Sequence, residues 1–343
     1  MRRIDVLRSH LAGQRHHWLV TGAAGFIGSH LTEALLQLGQ QVTGIDNFST
    51  GHPANLAEVR RSVGAEAWSQ FRFVEGDIRE PKACARVAEG VQFILHQAAL
   101  GSVPRSIDDP LATHSSNLTG FLNILLAARD AGVRRLVYAS SSSVYGDHPA
   151  LPKVEDQIGR PLSPYAVTKL ADELYAATFS RCYQVPLIGL RYFNVFGPRQ
   201  DPAGAYAAVI PQWLTALISN TPVFINGDGE SSRDFCYVGN VVQANLLAAL
   251  TDDASALGQV YNVAFGGRTT LNQLYQQLRE LLADRYPHVA AHSAQYRGFR
   301  PADVRHSLAD IGKARRLLGY EPAHSVSDGL KASADWYACR YSA

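Results

Sequence analysis

The stretch from Trp18 to Leu38 constrains the fold more than any other. It opens Trp-Leu-Val-Thr-Gly-Ala-Ala-Gly-Phe-Ile-Gly and continues with apolar residues at Ile27, Leu31, Ala34, Leu35 and Leu38. A short apolar run that stops at glycine, followed by apolar residues three and four apart, predicts strand, tight turn and helix. Gly39 ends that helix, and Val42-Thr43-Gly44-Ile45 predicts a second strand closing at Asp46. The unit is β-α-β.

The rhythm then repeats. Apolar runs at Phe71 to Val74, Phe93 to His96, Leu136 to Ala139 and Leu187 to Leu190 alternate with helical stretches, notably Leu118 to Ala131 and Tyr165 to Phe179. The fold class that follows is α/β, a Rossmann-type doubly wound parallel sheet with a smaller C-terminal α/β lobe. Beyond about Gly197 the alternation breaks into segments bearing Pro and Gly, among them Val223-Phe224-Ile225-Asn226-Gly227-Asp228-Gly229, with a helix around Leu271 to Leu282. We expect residues 1–196 to form the Rossmann domain, after an N-terminal helix, and residues 197–343 to form mainly the substrate-binding lobe. Segments around 235–265, including Val260 to Val263, are expected to return to the main sheet.

A chain of 343 residues with 46% hydrophobic and 18% charged residues suits a large folded core. With a formal net charge of +2 and no basic run longer than Arg134-Arg135 or Arg315-Arg316, it offers nucleic acid no electrostatic stripe. A small anionic substrate stays open. Cys84, Cys182, Cys236 and Cys339 are dispersed, without metal spacing or the density of a disulfide scaffold, and read as reduced, mostly buried thiols of the cytoplasm. Met1 to His16 lacks the apolar centre of a signal peptide, and no window reaches the ~18 apolar residues of a membrane span, so no membrane partner is expected. His96, His114 and His306 show no metal spacing and read as structural.

Three constellations carry chemistry. Gly22, Gly25 and Gly28 form Thr-Gly-x-x-Gly-x-x-Gly between the first strand and helix, where glycine permits a tight turn and brings backbone amides close to a pyrophosphate. Asp46 follows 24 positions after Gly22, where a carboxylate accepts both hydroxyls of an adenosine ribose and repels a 2'-phosphate, favouring NAD over NADP. Asp77-Ile78, after the third strand, sits where the adenine ring would be met, and a plain turn Asp explains it equally well. The run Ser140-Ser141-Ser142-Ser143 closes another strand at the ligand-binding edge, where hydroxyls are costly to bury unpaired and can face a sugar. Ser163-Pro164-Tyr165-Ala166-Val167-Thr168-Lys169 puts a phenol and an ammonium four apart on one helix face. A phenol base working near neutrality needs about 4 kcal/mol in favour of its anion, and a neighbouring lysine supplies part of it. On spacing alone the pair also fits a solvated helix face.

Together, Thr21 to Gly28, Ser141 to Gly146, Tyr165-x-x-x-Lys169 and Arg191-Tyr192-Phe193-Asn194-Val195-Phe196-Gly197 resemble the extended short-chain dehydrogenase/reductase family, specifically its nucleotide-sugar epimerases. The resemblance spans nearly the whole chain. Gly101-Ser102-Val103-Pro104-Arg105-Ser106 and Gly146-Asp147-His148-Pro149 resemble the bacterial UDP-N-acetylglucosamine 4-epimerase subgroup. The resemblance implies NAD as cofactor, Tyr165 as the base for the sugar 4-hydroxyl, Lys169 on the nicotinamide ribose favouring the Tyr165 phenolate, and Ser141 on the reacting oxygen. It implies further cofactor contacts from Gly22, Gly25, Phe26, Ile27 and Gly28, from Asp46, Asn47, Phe48, Ser49, Thr50 and Gly51, and from Asp77, Ile78, Gln97, Ala98, Ala99, Tyr192 and Val195. The UDP site would be lined by Asn194, Ala208, Val209, Phe224, Asn226, Arg233, Arg300 and Asp303, with Arg233 and Arg300 near its phosphates.

Ser307 bears on the sugar. In epimerases restricted to plain hexoses the corresponding position resembles a bulky Tyr, so a small residue leaves room for an acetamido group, with Ser102, Ser142 and Ser143 as polar contacts. The 4,6-dehydratases of the family carry an Asp-Glu pair where this chain has Ser142 and Ser143, which removes the acid and base that elimination needs. Gly101 stands where many galactose-type epimerases carry Lys. The implied activity is interconversion of UDP-GlcNAc and UDP-GalNAc, and of their uronic acid forms, by a cytoplasmic enzyme. Two alternatives stay open: a UDP-glucose 4-epimerase of broad specificity, and a non-catalytic NAD-binding regulator, a class that typically loses the Tyr or Lys. The family's habit is a homodimer through the helices at Asn117 to Ala131 and Tyr165 to Phe179.

Overall fold

The glycine pattern acts as read: it joins β1 (His17–Thr21) to α2 (Phe26–Gln37), behind an initial helix α1 (Arg3–Gly13). The computed structural model describes residues 3–203, 207–299 and 304–341. After α2 come β2 (Gln41–Asp46), α3 (Pro53–Trp68), β3 (Phe71–Glu75), α4 (Pro81–Ala88) and β4 (Phe93–His96). Short helices α5 (Val103–Asp108) and α6 (Pro110–His114) lead into α7 (Gly120–Asp130), β5 (Arg135–Ser141), α8 (Pro164–Tyr183) and β6 (Leu187–Tyr192). The remainder holds β7 (Val195–Phe196), α9 (Val209–Ile218), β8 (Phe224–Asn226), β9 (Ser232–Arg233), β10 (Cys236–Tyr237), α10 (Val238–Leu250) and β11 (Gln259–Val263). It ends with β12 (Thr269–Thr270), α11 (Leu271–Ala283), β13 (Gln295–Arg297), α12 (Gly312–Leu318) and α13 (Val326–Tyr341).

Seven strands form one parallel sheet in the order β11-β6-β5-β4-β1-β2-β3. Helices cover both faces, so Trp18, Leu19 and Val20 are all fully buried and the strand reads as a continuous apolar run. Trp18 stacks on Phe93 with ring centroids 4.4 Å apart. Leu31 and Leu35 of α2 are likewise buried, and truncating either to Ala would cost about 2–5 kcal/mol. Gly39, at φ +70°, lets the chain turn straight from α2 into β2. α7 starts at Gly120 because Ser115–Thr119 winds as a π-helical turn; such turns concentrate at functional sites.

The segment after β6 divides its packing. Val241, Ala244 and Leu247 of α10 join the main core, and Val260 to Val263 pair with β6 at the edge of the sheet. A separate core forms where α9, α11 and α13 surround β8, through Trp213, Leu214, Leu217, Leu274, Leu278 and Tyr337. β13 pairs with β8 in parallel. At the carboxyl edge, where doubly wound sheets hold ligands, β6 runs on into β7, whose Phe196 joins this second core.

Candidate active site

Gly22 takes φ +68°, and a Cβ on Gly28 would lie 2.0 Å from the Gly22 carbonyl oxygen, so the turn excludes side chains at both. Gly25 caps α2 without any side-chain hydrogen bond. First-turn amides of a helix have no partner within it, and here they face a cavity of about 400 Å³. Gly22, Gly25, Phe26, Ile27 and Gly28 line it at the turn, and Asp46, Asn47, Ser49 and Thr50 beside β2. Asp77, Ile78, Gln97, Ala98, Ala99 and Val195 line it as well.

Asp46 is only 8% exposed. Its Oδ2 accepts from Ala24 N at 2.9 Å and its Oδ1 from Phe48 N at 2.8 Å. Burial raises its pKa, opposed by those backbone donors. The carboxylate thus braces the turn and still presents lone pairs to the cavity, which suits a vicinal diol. Asp77 pairs with Arg79 at 2.6 Å and accepts from Asn47 Nδ2 at 2.8 Å; Arg79 holds its carboxyl down at about 2. Asp77 therefore lines the cavity and ties its own turn. Helix-end amides for a pyrophosphate and a buried carboxylate for a ribose together fit NAD.

Some expected cofactor residues stand outside this lining. Phe48 packs on Phe73 with centroids 5.3 Å apart, and Gly51 lies where a Cβ would come within 2.8 Å of Asp46 Oδ2. Tyr192 is buried one layer behind: its hydroxyl donates to Gln97 Oε1 at 3.1 Å and accepts from Asn245 Nδ2 at 2.8 Å. Tyr165 and Lys169 also lie beyond the lining, on α8.

Ser163 caps α8 by accepting from Ala166 N at 3.1 Å, which sets half-buried Tyr165 in the first turn and Lys169 one turn on. Lys169 Nζ donates to Ala139 O of β5 at 2.9 Å and to Asp172 Oδ2 at 3.2 Å. Next to it, Asn117 Nδ2 donates to Thr168 Oγ1 at 3.2 Å while Asn117 Oδ1 accepts from Leu100 N at 2.7 Å. Ser141 caps the short 3₁₀ turn Ser142–Tyr145, accepting from Ser143 N and donating to Ser143 Oγ, both at 3.1 Å. The serine run does not act as one surface. Ser140 turns inward and donates to Glu173 Oε1 at 2.5 Å, within a buried fork where Arg191 donates to Glu173 at 2.8 and 2.7 Å.

A second cavity of about 260 Å³ gathers Asn194, Ala208, Val209, Phe224, Asn226 and Arg233. Val195 lines both cavities. Arg233 Nη1 donates to Ser232 O at 3.1 Å and to Arg305 O at 3.2 Å, and the Arg297 guanidinium stacks 3.2 Å from the Phe224 ring centroid. Ser307 is half-buried next to this wall, its amide donating to Ser232 O at 3.0 Å. Ser102, Ser141, Ser142, Ser143, Tyr165 and Ser307 line neither cavity. Ser102 instead caps α5, accepting from Arg105 N at 3.2 Å. Arg300 and Asp303 lie outside the described residues.

Several residues at the site carry no local sequence signal. Trp213 and Gln212 line the second cavity, and His52, Arg199 and Asp201 the first. Arg199 is buried and held by Glu33 and by His30 Nδ1. Helical periodicity at Trp213 would mark it only as core. The thiols correct one expectation: Cys84 and Cys236 are buried, with burial pushing Cys84 up to about 12, but Cys182 and Cys339 are exposed on the outer faces of α8 and α13. Exposed apolar side chains gather on α5, α6 and α8, at Val103, Ile107, Leu111, Val167, Leu174 and Tyr175, while Phe121, Ile124 and Leu125 of α7 are buried. Among the described residues, no helix is long and apolar enough to cross a membrane.

Residues 18–264 match the family described as the NAD dependent epimerase/dehydratase family. The chain is 36% identical over 321 residues to the UDP-glucose 4-epimerase of Mycolicibacterium smegmatis, covering 93% of this chain and 97% of that one. The UDP-N-acetylglucosamine 4-epimerase from Methanobrevibacter ruminantium M1, solved with UDP-N-acetylmuramic acid, superposes with a TM-score of 0.86 at 33% identity, over 95% of this chain and 99% of that one. The UDP-glucuronic acid 4-epimerase from Bacillus cereus, solved with UDP-glucuronic acid and NAD, does so with a TM-score of 0.84 at 32% identity, over 95% of this chain and all of that one (100%). The glycine turn, the acidic end of β2 and the Tyr165–Lys169 helix all fall inside the matched span, and the chain belongs to the NAD dependent epimerase/dehydratase family, as an NAD-dependent isomerase that acts at C4 of UDP-sugars.

Proposed function

We propose that this enzyme interconverts UDP-GlcNAc and UDP-GalNAc, and accepts their uronic acid forms. Bound NAD supplies the reversible oxidation of the sugar C4. Tyr165 takes the proton of the 4-hydroxyl and returns it after the keto sugar has turned over in the site; a positioned base of this kind contributes about 10²–10⁴ in rate. Ser141 holds the reacting oxygen. Lys169, pinned to β5 through Ala139 O, keeps its charge near the phenol and its remaining N–H for the ribose. Arg233, Phe224 and Asn226 hold the UDP, so that binding energy resides in the nucleotide and leaves the hexose free to rotate.

The observation that carries the sugar assignment is Ser307, a small side chain whose amide bonds to Ser232 O, next to Arg233 of the second cavity. The likeness to the UDP-N-acetylglucosamine 4-epimerase from Methanobrevibacter ruminantium M1 supports it. Incubating purified protein with UDP-GlcNAc, UDP-Glc and UDP-GlcNAcA, without added NAD, and resolving the products tests it. Acetylated sugars should turn over fastest, and Ser307→Tyr should lose them at least tenfold while sparing UDP-Glc. Faster turnover of UDP-Glc by the parent enzyme would make it a broad UDP-glucose 4-epimerase instead.

The dimer belongs to the same reading, through the helices at 117–131 and 165–179, and the apolar side chains exposed together on α8 and the adjoining α5 and α6 support it. Leu174→Glu should halve the mass seen in sedimentation velocity. An unchanged mass would place the contact elsewhere.

A further inference from the structure

Asp172 stands three residues after Lys169 on α8, and the two side chains are only 2% and 3% exposed. Asp172 Oδ2 accepts from Lys169 Nζ at 3.2 Å, while Oδ1, also buried, has no hydrogen-bond partner among the described residues. Stability does not explain this pair. Withdrawing two ions from water outweighs a single long contact, and an apolar pair of the same size would hold a helix to a sheet at least as well. Burial raises the Asp172 carboxyl to about 7, against the pull of Lys169. The neighbours act on the pair more weakly than burial and the pair itself: Glu173, a like charge, raises Asp172 further. Glu173 on α8 is taken up by Arg191 of β6. Tyr138 of β5 is a buried phenol whose pKa is raised, and His96 of β4 is kept neutral by burial, with Nδ1 on Thr21 Oγ1.

An ammonium has three N–H bonds. Ala139 O and Asp172 use two, which aims the third away from β5. We propose that Asp172 is a positioning residue: it pins the Lys169 ammonium against β5 and screens part of its charge from the Tyr165 phenol. The proposal rests on the reading of Tyr165 and Lys169 as the proton-handling pair. Ionised Asp172 weakens the cationic field at Tyr165 and so disfavours the phenolate; protonated Asp172 restores the field. As pH rises, Asp172 ionises and the cationic field at Tyr165 weakens. The acidic limb of the rate profile is then broader than a single titration and lies higher than Lys169 alone would set it.

The pH dependence of kcat/KM on NAD-loaded enzyme tests this. The parent should show an acidic limb broader than one proton; a limb of single-proton sharpness overturns the proposal without any variant. Asp172→Asn keeps an acceptor for Lys169 and removes the charge, so its limb should sharpen and move down by about 0.5–1 unit, with a smaller loss of kcat than the alanine variant. Asp172→Ala removes the pin as well, and kcat should fall about tenfold. Asn and Ala variants that behave alike, or an Asn limb at the parent's position, overturn it. The tyrosinate absorbance of NAD-loaded protein, referenced to Tyr165→Phe, should move in the same direction as the limb. Tyr165→Phe also separates the two readings: it should bind NAD and fail to epimerise, and if it turns over normally the base assignment falls first.

Discussion

The two cavities meet at Val195 and are built by opposite means. The larger one is walled mostly by backbone and short side chains at successive strand ends: the turn after β1, the Asp46 loop after β2, Asp77 after β3 and Gln97 to Ala99 after β4. The smaller one is walled by Phe224, Trp213, Phe235, Leu271 and Arg233, side chains gathered from β8, α9, β9, the link between β9 and β10, and the start of α11. In the first, the path of the chain is the site. In the second, the start of α9 makes one wall, and packing of the separate core around α9, α11 and α13 brings the remaining pieces to it. A backbone-built site should fail as a whole when its turn is disturbed, whereas a side-chain-built site should lose affinity contact by contact.

The severest test of that contrast is Gly28→Val. A Cβ there meets the Gly22 carbonyl oxygen at 2.0 Å, with further backbone of Gly22 and Ala23 beside it, and overpacking of this kind costs about 1–3 kcal/mol. The variant should emerge from purification without NAD and with a lowered melting temperature. Full NAD content would show that the turn can open without harming the cofactor site. A milder test on the other side is Arg233→Ala. Loss of a charge-assisted contact to phosphate, about 1.5–3 kcal/mol, should raise KM for the UDP-sugar at least tenfold while NAD content and kcat stay near the parent's. A fall in kcat at constant KM would mean that Arg233 acts on the reacting sugar and not on the bound nucleotide.

The same contrast explains what could be read beforehand. Strands and helices around the first cavity follow from apolar periodicity and from Gly22, Gly25, Gly28 and Gly39, because each acts on its own neighbours. The start of α7 was less legible: its π-helical turn contains Asn117, whose partners Leu100 and Thr168 lie 17 and 51 residues away. Ser140 looks like Ser141 in a run of four, yet faces the core, since alternate residues of β5 point to opposite faces. Exposed Cys182 and Cys339 show that helix position, and not residue type, decided their burial. Trp213 is an apolar residue in an apolar helix until α11 and β8 pack around it.

By itself the sequence determined the parallel sheet, the glycine turn, the acidic strand end and the one-face placement of Tyr165 and Lys169. All of these follow from backbone sterics and spacing within a few residues. Only the tertiary structure decided which serine faces the ligand edge, what Lys169 leans on, and which side chains wall the second cavity. Burial and hydrogen-bond partners are properties of segments far apart in the chain. Asp172 shows the division most clearly: its spacing from Lys169 was always legible, but the loss of water that makes the pair matter arises only when α8 closes onto β5.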